Sequence, residues 1–435
     1  MLLYPFWVLL LGAVSVFAVA RYTRRSGTTL FVCLLFLVNA MSVLVAFARF
    51  TEPASVALLK GLLLFEVSRL SVLASFVVLV IFGVGAIIYV PLMQEGNIAQ
   101  GSTSLLLAAF CAVGSVLSKD PLSFAILLGG VPLLVFVLGR LEKGFSGSPQ
   151  VYLLYFIPSV MLILFAAVAR GTAPVSGLGP ISKGAALLLS VILAAYLLFW
   201  PFGGPSIRLL PFGRNAAPLA VSVIAAVAFF GLVKFLPLST MLGLAMVSLG
   251  AVSAIAWTIM CYRSKAPVST AQHGYFAQTS AVCVMIACAL SAKADSSGEW
   301  FLILSNHLIA GFGMLLSASW GEERRGRYLH VAAIFFAFCF LGLPPSPGFF
   351  GRLHLFLGSF GDHTLFGYLL RLSFLVNLFL VYCLPKSLAA ASRDAETASK
   401  TPWWVVCPLG VLAAALLLSM LFLPHLRAYL AASGL

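Results

Sequence analysis

Apolar segments of about 20 residues follow one another along nearly the whole chain, and the short loops between them hold most of the charges. Hydrophobic residues make up 62% of the 435 residues and charged residues only 9%, which excludes a soluble domain of this length. Segments of this length cross a bilayer as helices, because a helix satisfies its own backbone hydrogen bonds where water is absent. The sequence therefore predicts an all-α polytopic membrane protein.

We expect about fourteen membrane helices. No basic region precedes the first segment and it lacks a small-residue cleavage site, so we expect it to be retained and not removed as a signal peptide. Residues 51–66 are short and interrupted, and either lie flat in the interface or extend the next helix. Glu66 and Arg69 are three apart and can meet on one helical face, as a local ion pair or as part of a proton path. The predicted helices lie at about 2–20, 28–48, 67–92, 102–118, 121–139, 151–170, 184–200, 216–235, 240–261, 271–291, 300–319, 329–358, 365–385 and 402–423.

The basic residues predict how the chain is oriented. If the N-terminus lies outside, the inside loops hold 15 basic residues and the outside segments 7, as the positive-inside rule requires. A net charge of +14 would suggest nucleic acid as the partner of a soluble protein. Here the basic residues lie at the ends of apolar segments, so topology accounts for them and we expect no nucleic-acid partner.

The sequence holds no pattern typical of enzyme chemistry. Its eight cysteines lie almost all within apolar segments without a Cys-x-x-Cys spacing, so we interpret them as small core residues. It contains no metal-ligand cluster, phosphate-binding glycine loop or nucleophile triad. We therefore expect no catalytic residue, no metal and no cofactor-binding residue in this chain.

Prolines interrupt the twelfth apolar segment. Pro344, Pro345, Pro347 and Gly348 lie together, and Arg352 follows inside the segment. Proline removes a backbone donor and clashes with the preceding turn, so we expect the helix to break over residues 343–348. Broken backbone within a membrane is tolerated where protein or a wet cavity surrounds it, and a charge beside it often marks an ion path. The alternative is a proline kink with a snorkelling arginine.

Four side chains are candidates for a proton path: Lys234, His307, His273 and Arg352. A desolvated lysine or a histidine can exchange protons at accessible cost, whereas arginine stays protonated and can only act as a fixed charge. Three of the four have an alternative interpretation. Lys234 lies near a helix end and can snorkel, His307 can make a structural hydrogen bond, and Arg352 can pair with carbonyls freed at the prolines.

Four local motifs resemble one family. Residues 341–356 (Leu-Gly-Leu-Pro-Pro-Ser-Pro-Gly-Phe-Phe-Gly-Arg-Leu-His-Leu-Phe) are similar to its Gly-Leu/Ile-Pro-Pro-x-x-Gly-Phe-x-x-Lys motif, and weaker likenesses lie at 262–275, 304–310 and 375–382. The chain thereby resembles the antiporter-like membrane subunits of respiratory complex I, and among them most closely NADH dehydrogenase subunit 2.

The resemblance implies a specific architecture and setting. It implies N-terminal helices 1–3 (1–101), two inverted five-helix repeats with broken helices (102–239 and 240–401) and a C-terminal helix (402–435). It also implies a non-catalytic subunit of an NADH:ubiquinone oxidoreductase that contacts lipids and neighbouring membrane-arm subunits, including other antiporter-like ones. NADH, FMN, iron–sulfur clusters and quinone would bind elsewhere in that complex. The membrane would be the mitochondrial inner membrane or, alternatively, the bacterial one.

Several positions depart from the family's proton path. Leu127 lies near the position of the family's fifth-helix glutamate, Gly311 lies where a lysine is frequent, and Arg352 replaces the twelfth-helix lysine. Residues 187–200 of the seventh helix hold no ionisable group except Tyr196, and Lys234 is the one candidate for the eighth-helix lysine. The sequence therefore predicts a degenerate proton path and a scaffold role. The alternatives are a cation/proton antiporter of the same superfamily, a purely structural membrane subunit or, less in keeping with the sequence, a polytopic membrane enzyme.

Overall fold

The protein is described by a computed structural model that covers most of the chain. The described residues are 4–49, 54–58, 63–141, 157–164, 183–200, 217–235, 240–264, 266–291, 297–324, 327–344, 346–361, 364–392 and 402–421.

Helices make up nearly all of the described structure, which confirms the predicted helical membrane-protein class. In chain order they are α1 (Tyr4–Tyr22), α2 (Arg25–Arg49), α3 (Arg69–Tyr89), α4 (Ile98–Leu117), α5 (Pro121–Leu141), α6 (157–164), α7 (Lys183–Tyr196), α8 (Ala217–Phe235), α9 (Thr240–Arg263), α10 (Pro267–Ser291), α11 (Ser297–Arg324), α12 (Arg327–Phe340), α13 (Pro347–Gly358), α14 (Leu365–Ser392) and α15 (Trp403–Leu421).

Seven of the described helices are long and apolar enough to cross a membrane, and six shorter helices are apolar as well. The chain divides into two compact units, one formed by Met1–Ala173 with Leu209–Val227 and the other by Pro174–Arg208 with Ala228–Leu435. The number of fourteen membrane helices, the two inverted repeats and the orientation of the loops stay predictions.

A short β-hairpin corrects the prediction for residues 51–66 in the first unit. Strands β1 (Ala54–Leu58) and β2 (Leu63–Val67) pair antiparallel, so this segment is neither an interfacial helix nor an extension of α3. Phe65 is fully buried, and Leu64 donates its backbone N–H to Ser123 Oγ at 2.7 Å. The hairpin thus pairs its own backbone and is held against the α4–α5 turn. Glu66 lies in β2 and Arg69 begins α3, so the prediction that the two residues share one helical face is wrong.

Helix α10 lies at the centre of the second unit. It packs against α9, α11 and α14, and nearly all of its residues between Thr270 and Ala289 are buried. A helix in contact with three neighbours can direct polar side chains to each of them, because successive residues point about 100° apart around the axis. This position decides the geometry of the candidate site.

Candidate functional site

The twelfth predicted helix is divided into α12 and α13. We call the residues between them, 341–346, the α12 break, and those that the structure describes there (341–344 and 346) are not helical. Gly342 has φ 71°. Its N–H donates to the Cys339 carbonyl at 2.9 Å, and the Leu343 N–H donates to the Phe338 carbonyl at 3.0 Å. This paired arrangement is a Schellman ending, in which a glycine takes the left-handed position. The break begins two residues before the predicted Leu343, and helix resumes at Pro347, so that Gly348 is helical; Pro345 lies outside the described residues.

Three side chains from three helices satisfy the last carbonyls of α12. Asn306 Nδ2 of α11 donates to the Cys339 carbonyl at 2.8 Å. Arg352 Nη2 of α13 donates to the Phe340 carbonyl at 2.9 Å, and Asn377 Nδ2 of α14 donates to the Leu341 carbonyl at 3.1 Å. A helix end at membrane depth needs such donors because no bulk water is available there.

Gln278 of α10 joins two of these donors. Its carboxamide has one orientation that satisfies every neighbour: the oxygen accepts from Arg352 Nη1 at 3.0 Å and Nη2 at 2.6 Å, and the nitrogen donates to Asn377 Oδ1 at 2.8 Å. Arg352 is 2% exposed, and Gln278 is fully buried. The guanidinium therefore points into the protein, where it lies at the C-terminal end of α12 and benefits from the partial negative charge there.

His307 lies in an aromatic enclosure. Its ring is 4.6 Å from that of Phe340, 5.3 Å from Tyr275 and 5.5 Å from Phe229 between centroids. His307 Nε2 is 3.0 Å from Thr279 Oγ1, whose hydroxyl donates to the Tyr275 carbonyl. Nε2 therefore carries the donated proton, and buried Nδ1 has no hydrogen-bond partner among the described residues. A proton relay needs two partners, and the described surroundings of His307 supply one.

Aromatic rings fill the space beside Gly311. The rings of Tyr275 and Phe340 stack with their centroids 5.3 Å apart and their planes 9° from parallel. A Cβ atom at Gly311 would lie 2.6 Å from the Tyr275 ring and 2.9 Å from the Phe340 ring. Because these rings occupy the volume, a lysine at this position would require both of them to move.

A second irregular helix ending, absent from the sequence-based prediction, lies after α7. We call residues 197–200 the α7 break. The helix was expected to continue to Trp200, but it ends at Tyr196, and Leu198 has φ 54°. The Leu198 N–H donates to the Ala195 carbonyl at 3.1 Å and the Phe199 N–H to the Ala194 carbonyl at 2.9 Å. No proline or glycine lies among residues 197–200, so the local composition did not indicate this helix ending.

Side chains of α9 hold the α7 break. Trp257 Nε1 donates to the Leu198 carbonyl at 3.2 Å, and the Trp200 N–H donates to Ser253 Oγ at 2.9 Å. Ser253 Oγ is in turn 2.8 Å from Ser280 Oγ of α10. The strained residue is therefore held by partners distant in sequence.

Three consecutive residues of α10 connect this helix with the α12 break, with His307 and with the α7 break. Gln278 reaches the α12 break through Asn377, Thr279 contacts His307, and Ser280 reaches the α7 break through Ser253. All three are fully buried. Sequence reasoning missed these residues. The available signal was the run of polar residues within an apolar helix, where such side chains usually bond across helices.

Solved structures share this architecture over nearly the whole chain. A chain in the structure of the Mrp complex from Dietzia sp. aligns with a TM-score of 0.80 and 13% identity, over 99% of this chain and 96% of that chain. A chain of respiratory complex I from Thermus thermophilus aligns with a TM-score of 0.73 and 18% identity, over 97% and 98%. A chain of an archaeal membrane-bound sulfane sulfur reductase aligns with a TM-score of 0.76 and 12% identity, over 100% and 96%. The chain has their fold.

The comparison agrees with the resemblance noted from the sequence motifs, at the level of fold. No family model matches the sequence, and no curated protein matches it. The likeness is therefore one of tertiary structure, at sequence identities of 12% to 18%.

His273 of α10 and Lys234 of α8 are the two remaining candidate residues. His273 Nδ1 is 2.5 Å from Ser264 Oγ, and its ring stacks on Trp257 with centroids 5.6 Å apart, which places it beside the α7 break. Lys234 is half-buried in the last turn of α8, where a positive charge suits the helix dipole. His354 Nδ1 lies 3.3 Å from a Glu299 oxygen.

No group of three or more His, Cys, Asp or Glu side chains that could hold a metal ion occurs among the described residues. The absence of catalytic, metal and cofactor-binding residues from this chain stays a prediction.

Proposed function

We propose that this chain is a membrane-arm subunit of an assembly like respiratory complex I, in the position of NADH dehydrogenase subunit 2, with mainly a scaffold role. The fold shared with a chain of Thermus thermophilus complex I over 97% of this chain supports the assembly. Pro344 and Pro345, which match the paired prolines of the family motif, support the position of subunit 2. NADH, FMN, iron–sulfur clusters and quinone would bind to other subunits. The proposed location is the mitochondrial inner membrane, on the basis of the many lost ionisable positions, with a bacterial membrane as the alternative.

The contact between Arg352 and Gln278 carries the proposal of weak or absent proton transfer. The guanidinium is buried, bonded to the Phe340 carbonyl and to the Gln278 oxygen, and stays charged. A fixed cation cannot pass protons along a path. His307 lacks a second partner among the described residues, and aromatic rings fill the space beside Gly311. The second unit therefore offers structural contacts where a relay would need exchangeable groups.

Co-purification tests the assembly. Membranes solubilised in a mild detergent and separated by native electrophoresis should show this chain migrating with a large NADH-oxidising complex. Migration as a free subunit, with NADH oxidation elsewhere on the gel, would contradict the proposal.

The ratio of protons moved per NADH oxidised tests the scaffold role. In reconstituted vesicles the number of protons moved per NADH should be lower than that of a complex in which every antiporter-like subunit moves protons. Lys234→Ala and His307→Ala should leave it unchanged, since neither side chain would belong to a working path. A full ratio that either variant lowers would show that protons pass through this chain.

A cation/proton antiporter is the second candidate, because the Dietzia Mrp complex supplies a chain with a TM-score of 0.80. Na⁺-dependent proton movement in vesicles without NADH would favour the antiporter over the complex I subunit. Proton movement that depends on NADH alone would exclude it.

A further inference from the structure

The guanidinium of Arg352 is held by neutral oxygen atoms. The Phe340 carbonyl oxygen lies 2.9 Å from Nη2, and the Gln278 amide oxygen lies 2.6 Å from Nη2 and 3.0 Å from Nη1. Among the described residues, no carboxylate lies within ion-pair distance of Arg352. The positive charge is therefore solvated by a backbone carbonyl and an amide, as a small cation would be.

The position of this site in the fold strengthens that likeness. Phe340 is the last residue of α12, so its carbonyl lies at the negative end of the helix dipole. Asn306 bonds the neighbouring Cys339 carbonyl, and its own buried Oδ1 has no hydrogen-bond partner among the described residues. Unwound carbonyls and half-helix C-terminal ends at membrane depth are the environments in which transport proteins coordinate monovalent cations.

We infer that Arg352 is a tethered cation: its guanidinium occupies a monovalent-cation site formed by the Phe340 carbonyl and the Gln278 amide oxygen, and removal of the side chain opens this site to a free alkali cation. Neutral oxygens favour a monovalent ion, because divalent ions recruit carboxylates in most protein sites. The wild-type chain therefore binds no free cation here. The inference concerns binding, so it stands apart from the proposed role in a respiratory complex.

The alternative is that Arg352 only caps α12 and fills space. The two accounts differ in one respect. If Arg352 only caps α12, removal of its side chain leaves a cavity and an unpaired carbonyl, and a dissolved cation does not restore the lost stability. A cation site that is emptied regains stability when a small cation enters it.

The test measures the thermal stability of the full-length Arg352→Ala variant, in the assembly with which the chain co-purifies. Tryptophan fluorescence reports the unfolding. With choline chloride replaced by NaCl or KCl at equal ionic strength, the Tm of Arg352→Ala should rise by about 3 °C or more in at least one salt. Wild type and Arg352→Lys, which keep a tethered charge, should show the same Tm in all three salts.

Arg371→Ala is the matched control. Arg371 Nη1 also donates to a backbone carbonyl, that of Ser359 at 3.1 Å, but the side chain is only half-buried. Its removal should give no dependence on the cation. The double variant Arg352→Ala/Gln278→Leu should lose the Na⁺ or K⁺ response, because it lacks the amide oxygen.

Guanidinium at low millimolar concentration provides a second measurement if Arg352→Ala is unstable. It should raise the folded yield of Arg352→Ala and have no such effect on Arg371→Ala. Equal Tm values in choline, Na⁺ and K⁺ would overturn the inference. A variant that fails to fold in every salt, guanidinium included, would also overturn it, since a vacant cation site should accept a free ion.

Discussion

Leu198 and Gly342 occupy the same position in two helix endings, with φ angles of 54° and 71°. In each ending the residue donates its N–H to the carbonyl three residues earlier, and the next residue donates to the carbonyl five residues earlier. Glycine takes this conformation without strain, whereas a leucine does so at a cost of about 1–2 kcal/mol. Both endings have side-chain partners, but the α7 break also has to offset the strain of a leucine in the left-handed region.

Gly342→Ala should destabilise the α12 break. The left-handed φ strains any side chain by about 1 kcal/mol, and the new Cβ would lie 2.8 Å from Arg352 Cζ, so the total should exceed about 2 kcal/mol. Gly358→Ala is the control, because no atom lies within 4 Å of the position of its Cβ. Thermal unfolding in detergent measures both, and equal Tm values for the two variants would contradict the prediction.

Trp257→Phe should weaken the α7 break. The change leaves the buried Leu198 carbonyl without its indole donor, which costs about 1–3 kcal/mol. It should also increase hydrogen exchange of the Leu198 and Phe199 amides, because the strained turn loses its support. Trp403→Phe, at a residue that is 74% exposed, should change neither the stability nor the exchange. Unchanged exchange in Trp257→Phe would show that the turn holds without the indole.

Gln278→Leu and Gln278→Glu should differ in stability, because only the glutamate gives Arg352 a negatively charged partner. Leucine leaves the buried guanidinium with one carbonyl partner, at a cost of about 3 kcal/mol or more. Glutamate supplies a negative partner for Arg352, so we expect Gln278→Glu to be the more stable of the two by at least about 1 kcal/mol. Urea or thermal denaturation of both variants decides the order, and the reverse order would show that the guanidinium does not depend on this side chain.

Gly311→Ala should overpack the rings of Tyr275 and Phe340. The Cβ would lie 2.6 Å from the Tyr275 ring, and we expect a loss of about 1–3 kcal/mol. In a Tyr275→Leu background the same change should cost less, because the ring that it meets is gone. Gly410→Ala, where no atom lies within 4 Å, is the control. Additive effects of Gly311→Ala and Tyr275→Leu would argue against the contact.

The loops at 21–27, 262–270 and 320–328 should lie on one side of the membrane, opposite 292–299, since the basic residues divide 15 to 7 between the two sides. Single cysteines at Gly321 and Ser296, in a background without the native cysteines, should react with an impermeant maleimide from opposite sides. Reaction of both from the same side would disprove the orientation.

The sequence by itself determined the class of the protein and the site of its proline break. Apolar segments of membrane length predict a helical polytopic structure, because backbone groups in lipid must be paired within the segment. The prolines at 344, 345 and 347 exclude a continuous helix, because a helix interior cannot lose these donors. Both features depend on local chemistry, which adjacent residues carry.

Tertiary structure decided the rest, because it depends on residues that are distant in sequence. The hairpin at 54–67 pairs with itself and packs on the α4–α5 turn, which its apolar composition did not indicate. Leu198 has a left-handed conformation, and the donor to its carbonyl is Trp257, 59 residues away. Arg352 meets the oxygen of Gln278 only because α10 packs beside the α12 break. The charge of Arg352 was evident from the sequence, but the oxygens that hold it are brought together only by helix packing.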